Sequence, residues 1–126
     1  MFETLKIKLF IKQPVAKVSS HQIDRIVKAQ FDDKYDSVTT KLDSLNIDSL
    51  KVKNRIKAAI LKLANGEFEK IDKYLDTANF DLRDLIVLAE YPRSWKHGFN
   101  KIPNQLRKKE YLDDWNEYRS WLNCFQ

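Results

Sequence analysis

The stretch from Ser49 to Gly66 constrains the fold most, because its apolar residues recur at the spacing of a helix face. That face comprises Val52, Ile56, Ala59, Ile60 and Leu63. Ser49 is a suitable N-cap, and Asn65-Gly66 is a suitable stop because glycine readily adopts the left-handed conformation that follows a helix. The stretch therefore predicts one well-bounded amphipathic helix.

Other stretches show the same spacing, and the sequence marks several of their ends. Ser19 or Ser20 can cap the first, a break near residues 34–38 is expected, and Pro92 should end the helix that precedes it. The apolar stripes are Ile23, Ile26, Val27 and Phe31; Tyr35, Val38, Leu42 and Leu45; Phe68, Ile71 and Leu75; Leu82, Leu85, Ile86 and Ala89; and Tyr111, Trp115, Tyr118, Leu122 and Phe125. With two glycines and three prolines in 126 residues, the chain predicts a mostly-α single domain, residues 1–126, built as a bundle of four to six helices.

Residues 1–14 form a basic and apolar segment of a different kind. Leu5, Ile7, Leu9 and Ile11 alternate with mostly polar residues, which indicates a β-strand, although the spacing of Phe2, Leu5 and Leu9 also fits a helix. A strand here would need a partner, such as a copy in another subunit. Interspersed lysines interrupt any signal-peptide core, and no apolar run is long enough to span a membrane. With a single cysteine as well, we expect a cytoplasmic protein.

The stretch "NFDLRDLIVLAEYP", residues 79–92, predicts a capped helix that is buried on most sides. Asp81 is the expected N-cap and Asp84 follows at N3, where a carboxylate can reach free backbone amides. Arg83 is expected to form an ion pair with Asp72 or Asp76. The alternative is a carboxylate site formed by Asp81 and Asp84, which would need further oxygen ligands to hold a cation.

The chemistry-bearing residues form no recognisable catalytic or metal-binding pattern. The two histidines, His21 and His97, are far apart, and Cys124 has no histidine close in sequence. No G-x-S-x-G motif occurs, and the two glycines are 32 residues apart, which excludes a glycine-rich phosphate loop. We therefore expect no metal and no cofactor, and an enzyme using Asp81, Asp84 and His97 is the least favoured hypothesis.

A basic and aromatic tract beyond Pro92 is the strongest functional signal in the sequence. Its candidate binding residues are Arg93, Trp95, Lys96, His97, Phe99, Lys101, Arg107 and Lys108. Cations that follow phosphates and aromatics that stack on bases suit single-stranded nucleic acid, and the same set suits an acidic protein surface. The net charge of +5 fits either partner. The alternative is that Trp95 and Phe99 belong to the core.

The C-terminal aromatic stripe and the 66–92 segment add two expectations. The stripe predicts a core face or the face of a helical homodimer. The segment "GEFEKIDKYLDTANFDLRDLIVLAEYP" resembles short uncharacterised bacterial helical proteins that carry a "D-x-R-D … A-E-Y-P" step. That resemblance implies a compact helical fold and no activity. We expect a small non-enzymatic protein-binding or adaptor domain, with nucleic-acid binding through the two basic ends as the alternative.

Overall fold

The computed structural model describes residues 17–93 and 104–125, with the backbone alone for residues 104–108. These parts of the chain contain six α-helices and no strand. The helices are α1 (Ser20–Gln30), α2 (Tyr35–Asp43), α3 (Leu50–Ala64), α4 (Glu69–Phe80), α5 (Leu82–Glu90) and α6 (Asn104–Asn123). The mostly-α bundle predicted from the sequence is confirmed. The question of strand or helix for residues 5–11 lies outside the described residues.

Local signals set the ends of the first two helices. Ser19 is the N-cap of α1, and its hydroxyl and the Gln22 side chain form a reciprocal capping box. The break expected near residues 34–38 falls earlier, between Gln30 and Tyr35, where a 3₁₀ turn at Asp32–Lys34 leads into α2. In the buried stripes of these helices, Ile26 and Val38 have no exposed surface.

Helix α3 is the centre of the bundle, and α1, α4 and α5 all pack against it. Ser49 caps its start, where the side chain accepts a hydrogen bond from the Val52 amide. At its end Asn65 and Gly66 adopt φ angles of 50° and 81°, so the left-handed stop begins one residue before the predicted glycine. Because neighbours surround α3, its buried residues lie on several sides and include Ala58 and Leu61.

The prediction that α5 is buried on most sides is wrong. Leu85 and Ala89 are fully buried, but Val87 and Leu88 are half-buried and Leu82 is 37% exposed. The helix has only nine residues and packs against α3, α4 and α6, and within the described structure these contacts bury one face of it while Val87 and Leu88 stay half-buried. The apolar composition of α5 therefore does not place it at the centre.

Helix α6 joins the bundle through its aromatic stripe. Tyr118 and Leu122 are buried in the common core, while Trp115, Trp121 and Phe125 are half-buried against it. The Trp121 ring lies 5.7 Å from that of Tyr118 and 5.5 Å from that of Phe125, measured between centroids. The described part of the stripe thus serves as a core face. No helix among the described residues is long and apolar enough to cross a membrane.

Candidate functional site

The acidic start of α5 has a structural role in the described residues. Asp81 is the N-cap, and its Oδ1 accepts hydrogen bonds from the amides of Arg83 at 2.9 Å and Asp84 at 3.3 Å. Asp72 pairs with Lys41 of α2 at 2.8 Å, and Arg83 forms no ion pair within the described chain, contrary to expectation. No group of three or more metal-ligating side chains occurs in residues 17–93 and 109–125. His97 lies outside the described residues.

Arg93 connects the end of the α5 segment to α6. Its Nη1 donates to Asp114 Oδ1 at 2.9 Å and to Glu117 Oε1 at 3.0 Å. The two carboxylates raise the pKa of the guanidinium, and the Asp114 side chain is fully buried. These contacts give the one fully described member of the predicted binding set a structural partner.

The other predicted binding residues remain untested. Trp95, Lys96, His97, Phe99 and Lys101 lie outside the described residues. The structure places Arg107 and Lys108 on the first turns of α6 but does not describe their side chains. The basic and aromatic tract therefore stays a prediction.

A buried polar cluster joins α3, α5 and α6, and sequence reasoning missed it. Arg55 donates to both carboxylate oxygens of Glu90, at 2.9 and 2.8 Å, and the Glu90 side chain is only 4% exposed. Burial raises the pKa of Tyr91 to about 12 and also raises that of Tyr118. Arg55 and Glu90 have the character of a core ion pair, because carboxylate and guanidinium satisfy each other, whereas the buried Tyr118 hydroxyl has no hydrogen-bond partner among the described residues. The only hint in the sequence is a lone glutamate within "LIVLAEY".

A small cavity of about 100 Å³ lies between α1, α2 and α3. Its polar lining includes Asp24, which accepts a hydrogen bond from Tyr35, and Asp43, which pairs with Lys57 at 2.5 Å. Asn54 closes one side and donates from Nδ2 to the hydroxyl of Ser20 at 3.2 Å. Ligand pockets are usually about 300–1,000 Å³. The cavity is thus too small for most metabolites, and its charged groups already have partners.

Four of the five exposed large apolar side chains among the described residues lie at the start of α3 or where α4 meets α5, and the fifth is Leu112 of α6. Leu50 is 62% exposed, Val52 40%, Phe80 92% and Leu82 37%, and we call these four residues the apolar end. The predictions that Val52 and Leu82 face the core are wrong, because both lie in the first turn of their helices, beyond the neighbours that cover later turns. Phe80 follows the buried Ile71 by nine residues, which places it about 180° from the buried face of α4. This offset of about 180° is the sequence pattern that indicates the exposure of Phe80.

The short connection between α3 and α4 brings Val52 and Phe80 to the same height along the bundle axis. Only residues 65–68 join the two helices, which pack against each other as antiparallel neighbours. From Ala64 back to Val52 the axis covers about 18 Å, and from Glu69 to Phe80 about 17 Å. Phe80 therefore returns to the level of Val52, and Leu82 follows two residues later.

Five of the eleven lysines whose side chains the structure describes form ion pairs with acids. Lys28, Lys41, Lys57, Lys70 and Lys109 each form an ion pair with an aspartate or glutamate. The ammonium of Lys41 also lies 5.7 Å from the centroid of the Phe68 ring, and that of Lys34 lies 4.8 Å from it. The basic charge of the described part is thus compensated locally in part.

The thiol of Cys124 is exposed and contacts the Trp121 carbonyl oxygen at 3.1 Å. No histidine accompanies it in the described chain, since His21 lies on α1.

No family model matches the chain, and comparisons with curated proteins and with solved structures give no match. The resemblance of residues 66–92 to short bacterial proteins therefore stays a prediction.

Proposed function

We propose that the protein is a non-enzymatic protein-binding domain whose partner docks on the apolar end. The observation that carries this proposal is the 92% exposure of Phe80, at the level of the exposed Val52 and two residues before the exposed Leu82. Soluble monomers rarely expose large contiguous apolar patches, and those that do commonly use them for binding. A protruding aromatic ring is a suitable anchor for a pocket on a partner.

The described charges favour a protein partner over nucleic acid. Affinity for nucleic acid comes chiefly from cations that replace the counterions of phosphates. Arg93 and five of the eleven described lysines already face carboxylates, and replacing those carboxylates with phosphate would leave acids unpaired. The proposal places the protein in the cytoplasm, which its single cysteine supports.

A charge at position 80 tests the proposal. Tagged wild-type protein is used to capture proteins from a lysate of the source cells, and the strongest specific partner is then purified and titrated. We expect Phe80→Asp to weaken its binding at least tenfold, since a carboxylate would have to be desolvated in the interface. Asn116→Asp on α6 is the matched control, because it adds the same charge at an exposed site and should leave affinity unchanged. Equal affinity of both variants would contradict the proposal.

The nucleic-acid alternative has a separate readout. Fluorescence titration with single-stranded DNA at about 50 mM salt, followed by an increase in salt, measures binding through counterion release. Tight binding that weakens steeply with salt and is insensitive to Phe80→Asp would favour the basic tract. Absence of binding would dismiss the alternative.

A further inference from the structure

Lys62, in the last turn of α3, is a half-buried lysine that forms no ion pair with the described part of the chain. Its ammonium lies 5.8 Å from the centroid of the Tyr118 ring, and Tyr118 is itself almost fully buried. The charged end of Lys62 therefore lies over an aromatic ring of the core instead of beside a carboxylate.

Arg93 holds the acids that could otherwise pair with Lys62. Asp114 and Glu117, both on α6, are the acids whose charges act on the Lys62 ammonium. The Nη1 atom of Arg93 contacts Asp114 Oδ1 at 2.9 Å and Glu117 Oε1 at 3.0 Å. Lys62 thus shares these two carboxylates with a second cation that already contacts both of them.

The surroundings of Lys62 disfavour its charged form. Burial lowers the pKa of Lys62 below its ordinary value of 10.5, and the opposing charges of Glu117 and Asp114 offset this shift only in part. The positive charge of Arg93 acts in the same direction as burial. Because only the free amine carries a lone pair, a lysine in such surroundings is a better nucleophile near neutral pH.

We propose that Lys62 is an acyl-acceptor site, at which the free amine takes an acyl group from a small activated donor such as an acyl phosphate. The Nζ lone pair attacks the carbonyl carbon and forms a C–N bond. The C–O bond to phosphate breaks, and its electron pair leaves with the phosphate. The amine loses one proton to solvent, so the products are a lysine amide, inorganic phosphate and that proton. The reaction needs no partner at the apolar end.

The fold accommodates the product of this reaction. Acylation replaces the ammonium of Lys62 with a neutral amide, which removes the charge that burial penalises. The contacts of Arg93 with its two carboxylates do not involve Lys62 and stay intact. Lys57 on the same helix provides the contrast, because its side chain is 12% exposed and acylation would separate it from Asp43.

Site-resolved acylation of the full-length protein tests the proposal. The folded protein is treated with acetyl phosphate at about pH 7.5, well below the ordinary pKa of lysine, and peptide mass spectrometry measures the initial rate at each lysine. We expect Lys62 to react about three times faster than the exposed Lys51 of the same helix, because burial favours its free amine. Lys57 should react more slowly than either, since Asp43 holds its ammonium.

The unfolded chain is the control for this comparison. In guanidinium chloride Lys62 and Lys51 should react at equal rates, because the advantage of Lys62 depends on the residues that surround it in the fold. A rate at Lys62 equal to or below that at Lys51 in the folded protein would overturn the proposal. An advantage of Lys62 that persists in the unfolded chain would overturn it as well.

A pair of charge-removing variants tests the cause of the reactivity. Glu117→Gln removes a carboxylate that favours the ammonium form of Lys62, so the rate of acylation there should rise about twofold. Asp76→Asn removes the same charge from an exposed position on α4 and should leave the rate unchanged. A rate at Lys62 that falls or stays constant in the Glu117→Gln variant would overturn the assignment of Lys62.

Discussion

The buried pair of Arg55 and Glu90 determines what single substitutions in the core will cost. Glu90 is almost fully buried and receives two hydrogen bonds from the guanidinium. We expect Arg55→Ala to lower the free energy of unfolding by about 3 kcal/mol, because it leaves a buried carboxylate without its cation. Urea denaturation at neutral pH measures the change.

A surface pair provides the control for this prediction. Lys70 and Glu67 are about half exposed and contact each other at 3.0 Å, so Glu67→Ala should change stability by less than about 0.5 kcal/mol. The double variant Arg55→Met with Glu90→Leu should recover most of the loss, since apolar residues of similar volume can replace a buried pair. A small loss for Arg55→Ala would show that water reaches the Glu90 carboxylate.

Two buried tyrosines predict a loss of stability at alkaline pH. Burial raises the pKa of Tyr91 to about 12 and also raises the pKa of Tyr118, whereas an unfolded tyrosine ionises near its ordinary pKa of 10.0. A raised pKa means that the folded state stays protonated at pH values at which an unfolded tyrosine has already ionised. The stabilisation is therefore complete below pH 10 and is lost as the pH rises from 10 towards 12. Denaturation at pH 8, 10 and 11 measures this slope, and Tyr91→Phe should make it shallower. An unchanged slope would show that Tyr91 does not contribute to the loss of stability at alkaline pH.

Among the elements, α5 depends on a single side chain for its start. Asp81 accepts two backbone hydrogen bonds from the first turn, and the helix has only nine residues. We expect Asp81→Ala to cost about 1 kcal/mol in thermal or urea unfolding. Asp81→Asn keeps an oxygen in the same place and should cost little. A similar loss for both variants would indicate that charge, rather than the hydrogen bonds, stabilises the helix start.

The sequence predicts the ends of the helices better than their positions in the bundle. Ser19, Asp81 and Pro92 act on backbone groups within a few residues, so their effects are visible locally. Centrality depends on which helices pack around an element. For that reason α3, although it carries many lysines, is the central helix, while the more apolar α5 is peripheral.

At the scale of the whole molecule, the candidate surface depends on contacts between distant parts of the chain. The sequence shows that Phe80 lies off the apolar stripe of α4. That Phe80 and Val52 lie at the same height along the bundle axis follows only from the antiparallel pairing of α3 and α4. Arg93 is a similar case. The basic tract suggested a binding residue, but the acids that hold it are 21 and 24 residues further along the chain.

The same contacts predict that α6 opens separately from the rest of the bundle. Arg93 ties the end of the α5 segment to the buried Asp114, and α6 otherwise packs mainly through its aromatic stripe against α5 and the core. We expect Arg93→Ala to accelerate amide hydrogen exchange in α6 by about tenfold, equivalent to roughly 1.4 kcal/mol, because elements can open locally. Exchange in α3 should change little, since α3 contacts three other helices.

Lys109→Ala is the matched control for this opening. It removes a cation from α6 that pairs only with the neighbouring Asp113, at 3.4 Å and on the surface. Because that pair lies within one helix, its loss should not loosen the attachment of α6 to the bundle. Faster exchange in α3 and α6 together after Arg93→Ala would instead mean that Arg93 stabilises one cooperative unit. In that case the partner surface at the apolar end and the basic tract before α6 would respond to the same unfolding event, and binding studies of Arg93 variants would have to be corrected for it.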